Sequence, residues 1–335
     1  MLTIPLETAR RFILGKQGLW PGRRWRGLAG TAQAMRAIEY LQIDPLQMIT
    51  RSQDITLHSR VLDYAPGMWE AVTYQQREFF DWGSWLAARP MGELPHWRVV
   101  MRRERERNMR LRSLAHEHAN AIEEMRTILR ERGTVSNRTF EMAKRTRTES
   151  YRGRKDSALA LYYLWITGEV MTHHRERFER VYALTEAVAP GHLIRESSED
   201  EANRFLITKE IGFSGLSRVT RSSDAFHGRG DPEQAAKKLL SAMLAAGEIV
   251  EVRVESWKTP HLMLGSDVAL LNELSAGRVP AAWAPLDTTT TEEVVFLAPL
   301  DHVSVRGRAK VVFGFEYIWE VYKPAEKRRW GYYTL

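Results

Sequence analysis

Gly247-Glu248-Ile249-Val250-Glu251-Val252-Arg253-Val254 is the stretch that decides the fold class. A helical pattern over residues 232–246 runs into Gly247, the residue type best able to take the left-handed conformation that ends a helix. Apolar alternation then predicts a strand, a turn falls near 256–260, and a short apolar run at 261–264 returns. The same order occurs earlier: a helical 157–167, then Gly168-Glu169-Val170-Met171-Thr172, a basic turn at 175–177 and an alternating 178–184. Each copy reads as a recognition-type helix, a glycine stop and a two-stranded wing. The repeat predicts a mainly α chain with small β elements, organised as tandem winged-helix modules.

Outward from these copies, the first third is helical. Helices are expected at 3–15 and 31–41, with a Gly/Pro/Arg-rich loop at 18–30 between them and a further helix from Pro45. A long charged helix should span about 95–132, where Gly133 stops it. The polar runs 196–203 and 277–291 read as linkers. Beyond them, 294–297, 309–313 and 317–322 have strand composition, and 323–327 is a turn leading into 329–334, which makes a C-terminal β-rich segment with a basic hairpin. The expected domains are therefore 1–95, 96–196, 197–276 and 277–335.

The chemistry concentrates in Tyr40-Leu41-Gln42-Ile43-Asp44-Pro45-Leu46. A residue before proline is pushed out of the helical region, so Asp44 should lie in an extended link. In such a link positions i and i+2 share a face. Gln42 and Asp44 then form a pair that can hold one water, the carboxylate taking its proton or stabilising nearby positive charge and the amide fixing its orientation. The plainer reading is that Asp44-Pro45 caps a helix.

The net charge of +7 comes from 49 basic and 42 acidic residues, and its distribution is uneven. Residues 98–112 hold seven Arg against two Glu, 144–155 hold six Lys or Arg against one Glu, and Lys327-Arg328-Arg329 forms a third cluster. Three basic clusters with adjoining aromatics favour a polyanion such as DNA over a solvated helix surface. Cysteine is absent, which excludes disulfides and thiolate metal sites and suits a reducing cytoplasm. No secretory segment and no apolar run of membrane-spanning length stands in the sequence, so a cytoplasmic, nucleoid-associated protein is expected. His173-His174 and His116-X-His118 lack a third ligand at metal spacing, and Gly228 and Gly230 lack the context of a phosphate loop. Neither a metal nor any other cofactor is implied.

Further motifs stand in order along the chain: Gln17-Gly18-Leu19 before Arg23-Arg24, Leu41-Gln42-Ile43-Asp44, Arg51-Ser52, Leu57-His58-Ser59-Arg60, Tyr64 and Phe80-Asp81-Trp82. Phe178-Glu179-Arg180-Val181-Tyr182, Phe313-Gly314-Phe315-Glu316-Tyr317 and Lys327-Arg328-Arg329-Trp330-Gly331-Tyr332-Tyr333 follow. From about residue 10 onward the set resembles the YcaQ and AlkZ-like family of winged-helix DNA glycosylases. The resemblance implies a monofunctional glycosylase of alkylated purines such as N7-alkylguanine that also unhooks interstrand crosslinks; the expected partner is double-stranded DNA and the expected state a monomer. It makes Gln42 and Asp44 catalytic; Arg51, Arg60, Lys327, Arg328, Arg329 and Trp330 are the residues expected on DNA. Two features depart from the family pattern: Gly83 and Ser84 follow Trp82 where a histidine is usual, and the sequence stops at Leu335 where relatives usually run on. The competing reading is a winged-helix transcription regulator in which Asp44 is structural, with a non-catalytic nucleic-acid scaffold as a third.

Overall fold

The computed structural model describes residues 2–47, 49–83, 85–139, 156–218, 232–287, 293–305 and 307–329. The chain is mainly helical with several small sheets and forms two compact units, one of Met1–Trp69 with Asn203–Leu335 and one of Glu70–Ala202. Among the described residues no helix is long and apolar enough to cross a membrane.

Both helix-glycine-hairpin copies are present. Helix Asp156–Ile166 ends at Gly168 and helix Pro232–Ala245 at Gly247, each glycine with positive φ (77° and 71°). In each case the next residue's amide reaches back five positions, Glu169 to Leu164 at 2.9 Å and Glu248 to Met243 at 3.0 Å, which satisfies carbonyls the helix end would leave bare. Strands Val170–Glu176 and Glu179–Leu184 pair antiparallel around an Arg177-Phe178 turn, and Thr134–Ser136 adds to the second of them. Strands Ile249–Val254 and His261–Leu264 pair in the same way.

The third strand of that last sheet is the chain's own beginning. Leu2–Ile4 runs parallel to Ile249–Val254, with Leu2 opposite Val252 and Ile4 opposite Val254. The expected helix at 3–15 therefore starts only at Leu6, because Pro5 holds the preceding residue extended. Ala9, Phe12 and Ile13 recur at helical spacing along Leu6–Lys16 and meet Val252, Val254, Met263, Leu271 and Trp283 in one apolar core.

Other expectations need correction. The second helix is Gly27–Ala37 rather than 31–41, and the chain is already extended at Leu41–Gln42. No helix starts at Pro45; the next is Ser52–His58. The long helix over 95–132 is three helices, Leu94–Arg107, Met109–Glu117 and Ala119–Arg132. Asn108 makes the first break: its backbone is extended, and its side chain accepts from the amides of Arg110 (3.1 Å) and Leu111 (3.3 Å), capping the next helix. The C-terminal β-rich segment is not formed among the described residues. Residues 294–297 and 317–320 have no strand partner, 309–313 lie in helix Arg308–Phe313, and the basic turn is a single 3₁₀ turn, Ala325–Lys327. Strand composition registers apolar, β-branched content, and without a partner to complete the ladder that content packs as helix and irregular chain.

The Phe80-Asp81-Trp82 motif is structural within its unit. Buried Asp81 accepts from Tyr74 Oη (2.9 Å), Thr172 Oγ1 and the Arg175 guanidinium, while Trp82 Nε1 donates to the Ile166 carbonyl at 3.1 Å. Burial alone would raise the Asp81 carboxyl, but Arg175 and Arg180 hold it below the usual range.

Candidate active site

The Gln42 to Asp44 link is extended, and its side chains alternate: Leu41 and Ile43 are buried while Gln42 and Asp44 are half-buried. Two anchors fix the backbone. The Asp44 amide donates to Gln53 Oε1 at 3.0 Å, and Gln53 is wholly buried in helix Ser52–His58. His302 Nε2 lies 2.5 Å from the Tyr40 carbonyl, two residues before Gln42. A carbonyl only accepts, so Nε2 carries the ring proton. Burial pulls His302 down to about 4, and the ring is neutral in ordinary buffers.

Asp44 Oδ1 accepts the Leu46 amide at 2.7 Å, a local turn around Pro45 rather than a helix cap. Among the described residues its other oxygen has no donor, and the Gln42 carboxamide has no partner. Burial raises the Asp44 carboxyl above the ordinary aspartate range, with the Leu46 amide pulling the other way.

Both side chains open on one wall. Asp44, Leu46 and Ser52 line a crevice against Pro299, Leu300 and Trp319. Gln42 lines a cavity of about 310 Å³ with the same three residues and with Ser304, Val305 and Tyr317. A second, apolar cavity of about 400 Å³ adjoins it, sharing Pro299, Ser304 and Tyr317 and walled by Phe296, Phe313 and Phe315. The two are within the size of small-molecule sites, and their aromatic lining suits stacking on a nucleobase.

The wall is held by a buried pair, one member of which, Asp301, has no place among the residues singled out from the sequence. Asp301 and Arg60, both wholly buried, form a two-pronged ion pair at 2.7 and 2.9 Å. Arg60 also donates to the carbonyls of Gln17 (2.6 Å) and Thr56 (2.8 Å), and Asp301 accepts from the Val303 amide at 3.2 Å. Arg60 is thus part of the core, and its assignment to DNA is corrected. A signal was available: Asp301-His302 is a charged and titratable pair enclosed by Ala298, Pro299, Leu300 and Val303.

The remaining expected DNA contacts divide. Arg51 precedes helix Ser52–His58 and bridges back to Gln47, closing the loop behind Asp44. Lys327 and Arg329 are exposed, and Arg328 donates to the Lys323 carbonyl at 2.7 Å. Trp330 and the cluster at 144–155 lie outside the described residues. In the 98–112 cluster, Arg102 and Arg103 are ion-paired with Glu199, whose carboxyl they hold down at about 2 against its own burial.

Sequence comparison matches residues 35–335 to the AlkZ-like DNA glycosylases. The chain belongs to the AlkZ-like DNA glycosylase family. Its fold resembles that of the Streptomyces sahachiroi DNA glycosylase AlkZ, with a TM-score of 0.57 at 16% identity over 81% of this chain and 72% of that one. As an AlkZ-like DNA glycosylase it is an enzyme of DNA repair, and the alternative of a regulator without catalysis is set aside.

Proposed function

We propose that this DNA glycosylase hydrolyses the N-glycosidic bond of N7-alkylated guanine, with Asp44 and Gln42 as its catalytic pair. The observation that carries the reading is the shared Pro299-Leu300-Trp319 wall, on which both side chains open with hydrogen-bonding capacity to spare. An N7-alkylated guanine already carries positive charge and leaves readily, so acid assistance is not required. The remaining need is a negative charge near the sugar as the bond breaks and a positioned water. Asp44 stabilises the oxocarbenium-like transition state and deprotonates the water, and Gln42 aligns it. Because Phe296, Phe313, Phe315 and Ile318 of the cavity walls are themselves exposed, a bulky or crosslinked adduct can be approached without full enclosure, which extends the reading to unhooking crosslinks. The helix-glycine-hairpin units act as winged-helix modules that hold the duplex, and a monomer suffices.

Single-turnover excision on matched duplexes tests the substrate. Duplex carrying N7-methylguanine should yield alkali-labile abasic sites, and the unmodified duplex should yield none, because its neutral leaving group needs an acid that this pair does not supply. Equal rates on both, or no abasic product from the lesion, would sink the assignment. The C-terminal turn supplies phosphate contacts in this reading. Replacing Lys327, Arg328 and Arg329 together by Ala should weaken binding to every duplex alike and flatten its salt dependence, the slope falling by about one for each phosphate left without its cation. An unchanged slope would move this turn off the DNA.

A further inference from the structure

The Glu70–Ala202 unit holds a second cavity, of about 300 Å³, whose lining is basic. Arg98 and Arg105 come from helix Leu94–Arg107, seven residues apart and hence on one face, about 10 Å along the axis. Arg126 and Arg130 come from helix Ala119–Arg132, one turn apart. Four guanidinium groups thus face two carboxylates, Glu169 and Glu186.

Their engagement differs. Arg126 is held in a two-pronged pair with Glu169 at 2.8 and 3.0 Å and also by Glu123 at 2.9 Å, so it neutralises the floor of the cavity. Among the described residues Arg98 reaches only the Gly168 carbonyl, at 3.4 Å, and its Nε is buried without an acceptor. Arg105 is exposed, and the nearest carboxylate of Arg130 is Glu123 at 3.9 Å. Three guanidinium groups with unused donors therefore converge on a concave site where, among the described lining residues, Glu186 is the one carboxylate not already held in a two-pronged pair. A buried guanidinium donor without an acceptor costs free energy unless an anion completes it. The fork of an arginine matches the oxygens of a phosphate.

We propose that this cavity receives a phosphate of the DNA backbone, which makes it a duplex-anchoring site of the glycosylase on the unit that lacks Gln42 and Asp44. The inference rests on the enzyme's being a DNA glycosylase, not on the lesion or on the roles of Gln42 and Asp44. Such a contact positions the duplex and carries no base information.

The test is binding of an undamaged duplex by fluorescence anisotropy across a potassium chloride series, comparing the wild type with the Arg98→Gln/Arg105→Gln double variant. The variant should bind several-fold more weakly at about 0.15 M salt, equally for unrelated sequences, with a salt slope flatter by about one. Arg105→Ala alone, at an exposed position where folding is not at stake, should flatten the slope in the same direction. Arg110→Gln removes an exposed charge of the same cluster outside the cavity and should change the slope less. An unchanged slope in both cavity variants overturns the proposal, as does an equal change from Arg110→Gln. Titration with inorganic phosphate supplies the other arm: phosphate binding that the double variant loses while the duplex slope stays as in the wild type would assign the cavity to a free anion and overturn the DNA reading. Excision by the wild type tests the lesion separately, so a protein that anchors duplex through this cavity without excising N7-methylguanine would refute the substrate and leave the anchor standing.

Discussion

Asp44→Asn is expected to lower single-turnover excision of N7-methylguanine by about 10²–10⁴-fold, the usual cost of removing one positioned acid-base group. Asparagine keeps the shape and can still accept the Leu46 amide bond through its oxygen, so the link at residues 42–44 should hold its course. It loses the negative charge opposite the developing oxocarbenium and the proton acceptor for water. Duplex affinity should change little. Stability provides a second readout with a defined sign. Folding raises the Asp44 carboxyl, so its favourable contribution is present below the unfolded value of 3.8 and is lost as pH rises through the folded value. At neutral pH the charged form is therefore a burden on the native state, and the Asn variant should melt no lower than the wild type. The acidic limb of the wild-type rate profile should lie above the ordinary aspartate range, and the Asn variant should lack it. Gln42→Ala should slow excision in the same direction but less, because solvent can partly replace the orienting amide. A full wild-type rate in Asp44→Asn would remove Asp44 from the mechanism.

What the sequence made legible was local. The stop at Gly168 and Gly247, the strand that follows each, and the alternation that puts Gln42 and Asp44 on one side of an extended link all depend on residues within about ten positions of one another. What it hid was long-range. The pairing of Leu2–Ile4 with Ile249–Val254 joins segments about 250 residues apart, and three residues carry no periodic signal of their own. The break at Asn108 was hidden for another reason: charged helical pattern continues on both sides of it, and only the side chain's capping bonds reveal the boundary. In the C-terminal stretch, apolar β-branched residues suggested strands, and a strand needs a partner that composition cannot promise. The candidate site divided in the same way. Gln42 and Asp44 could be picked out by their spacing, whereas the wall they face comes from residues 299–319, and only the fold brings Pro299, Leu300 and Trp319 to them. Arg60 was misplaced because an arginine in a motif reads as a phosphate ligand until its burial is known.

Asp301→Ala is expected to be the most destabilising single change in the unit that carries Gln42. It would leave the Arg60 guanidinium, which has no exposed surface, without its counter-charge. Breaking a buried pair from one side costs about 3–5 kcal/mol, because the remaining charge keeps its bonds to the Gln17 and Thr56 carbonyls but has neither counter-charge nor water. For units of this size that is a fall in melting temperature of roughly 10 °C. Asp301→Asn keeps Oδ1 as acceptor for the Val303 amide and for the Nη2 prong of Arg60 but not the charge, and should fall between the alanine variant and the wild type. The pH dependence has a sign that follows from the neighbours. His302 is buried neutral, with a folded value near 4 against 6.5 unfolded, so its contribution to stability is present above 6.5 and is lost as pH falls through 4. Burial would raise the Asp301 carboxyl, yet Arg60 holds it below 3.8, so its contribution disappears only at lower pH still. Acid unfolding of this unit should therefore begin in the histidine window, and His302→Gln, which retains a donor for the Tyr40 carbonyl, should remove that first loss while keeping the second. If Asp301→Ala shifted the melting temperature by no more than a degree or two, the Arg60 charge would have to reach water, and the Asp301-His302 turn would cease to explain why the Pro299-Leu300 wall stands opposite Gln42 and Asp44.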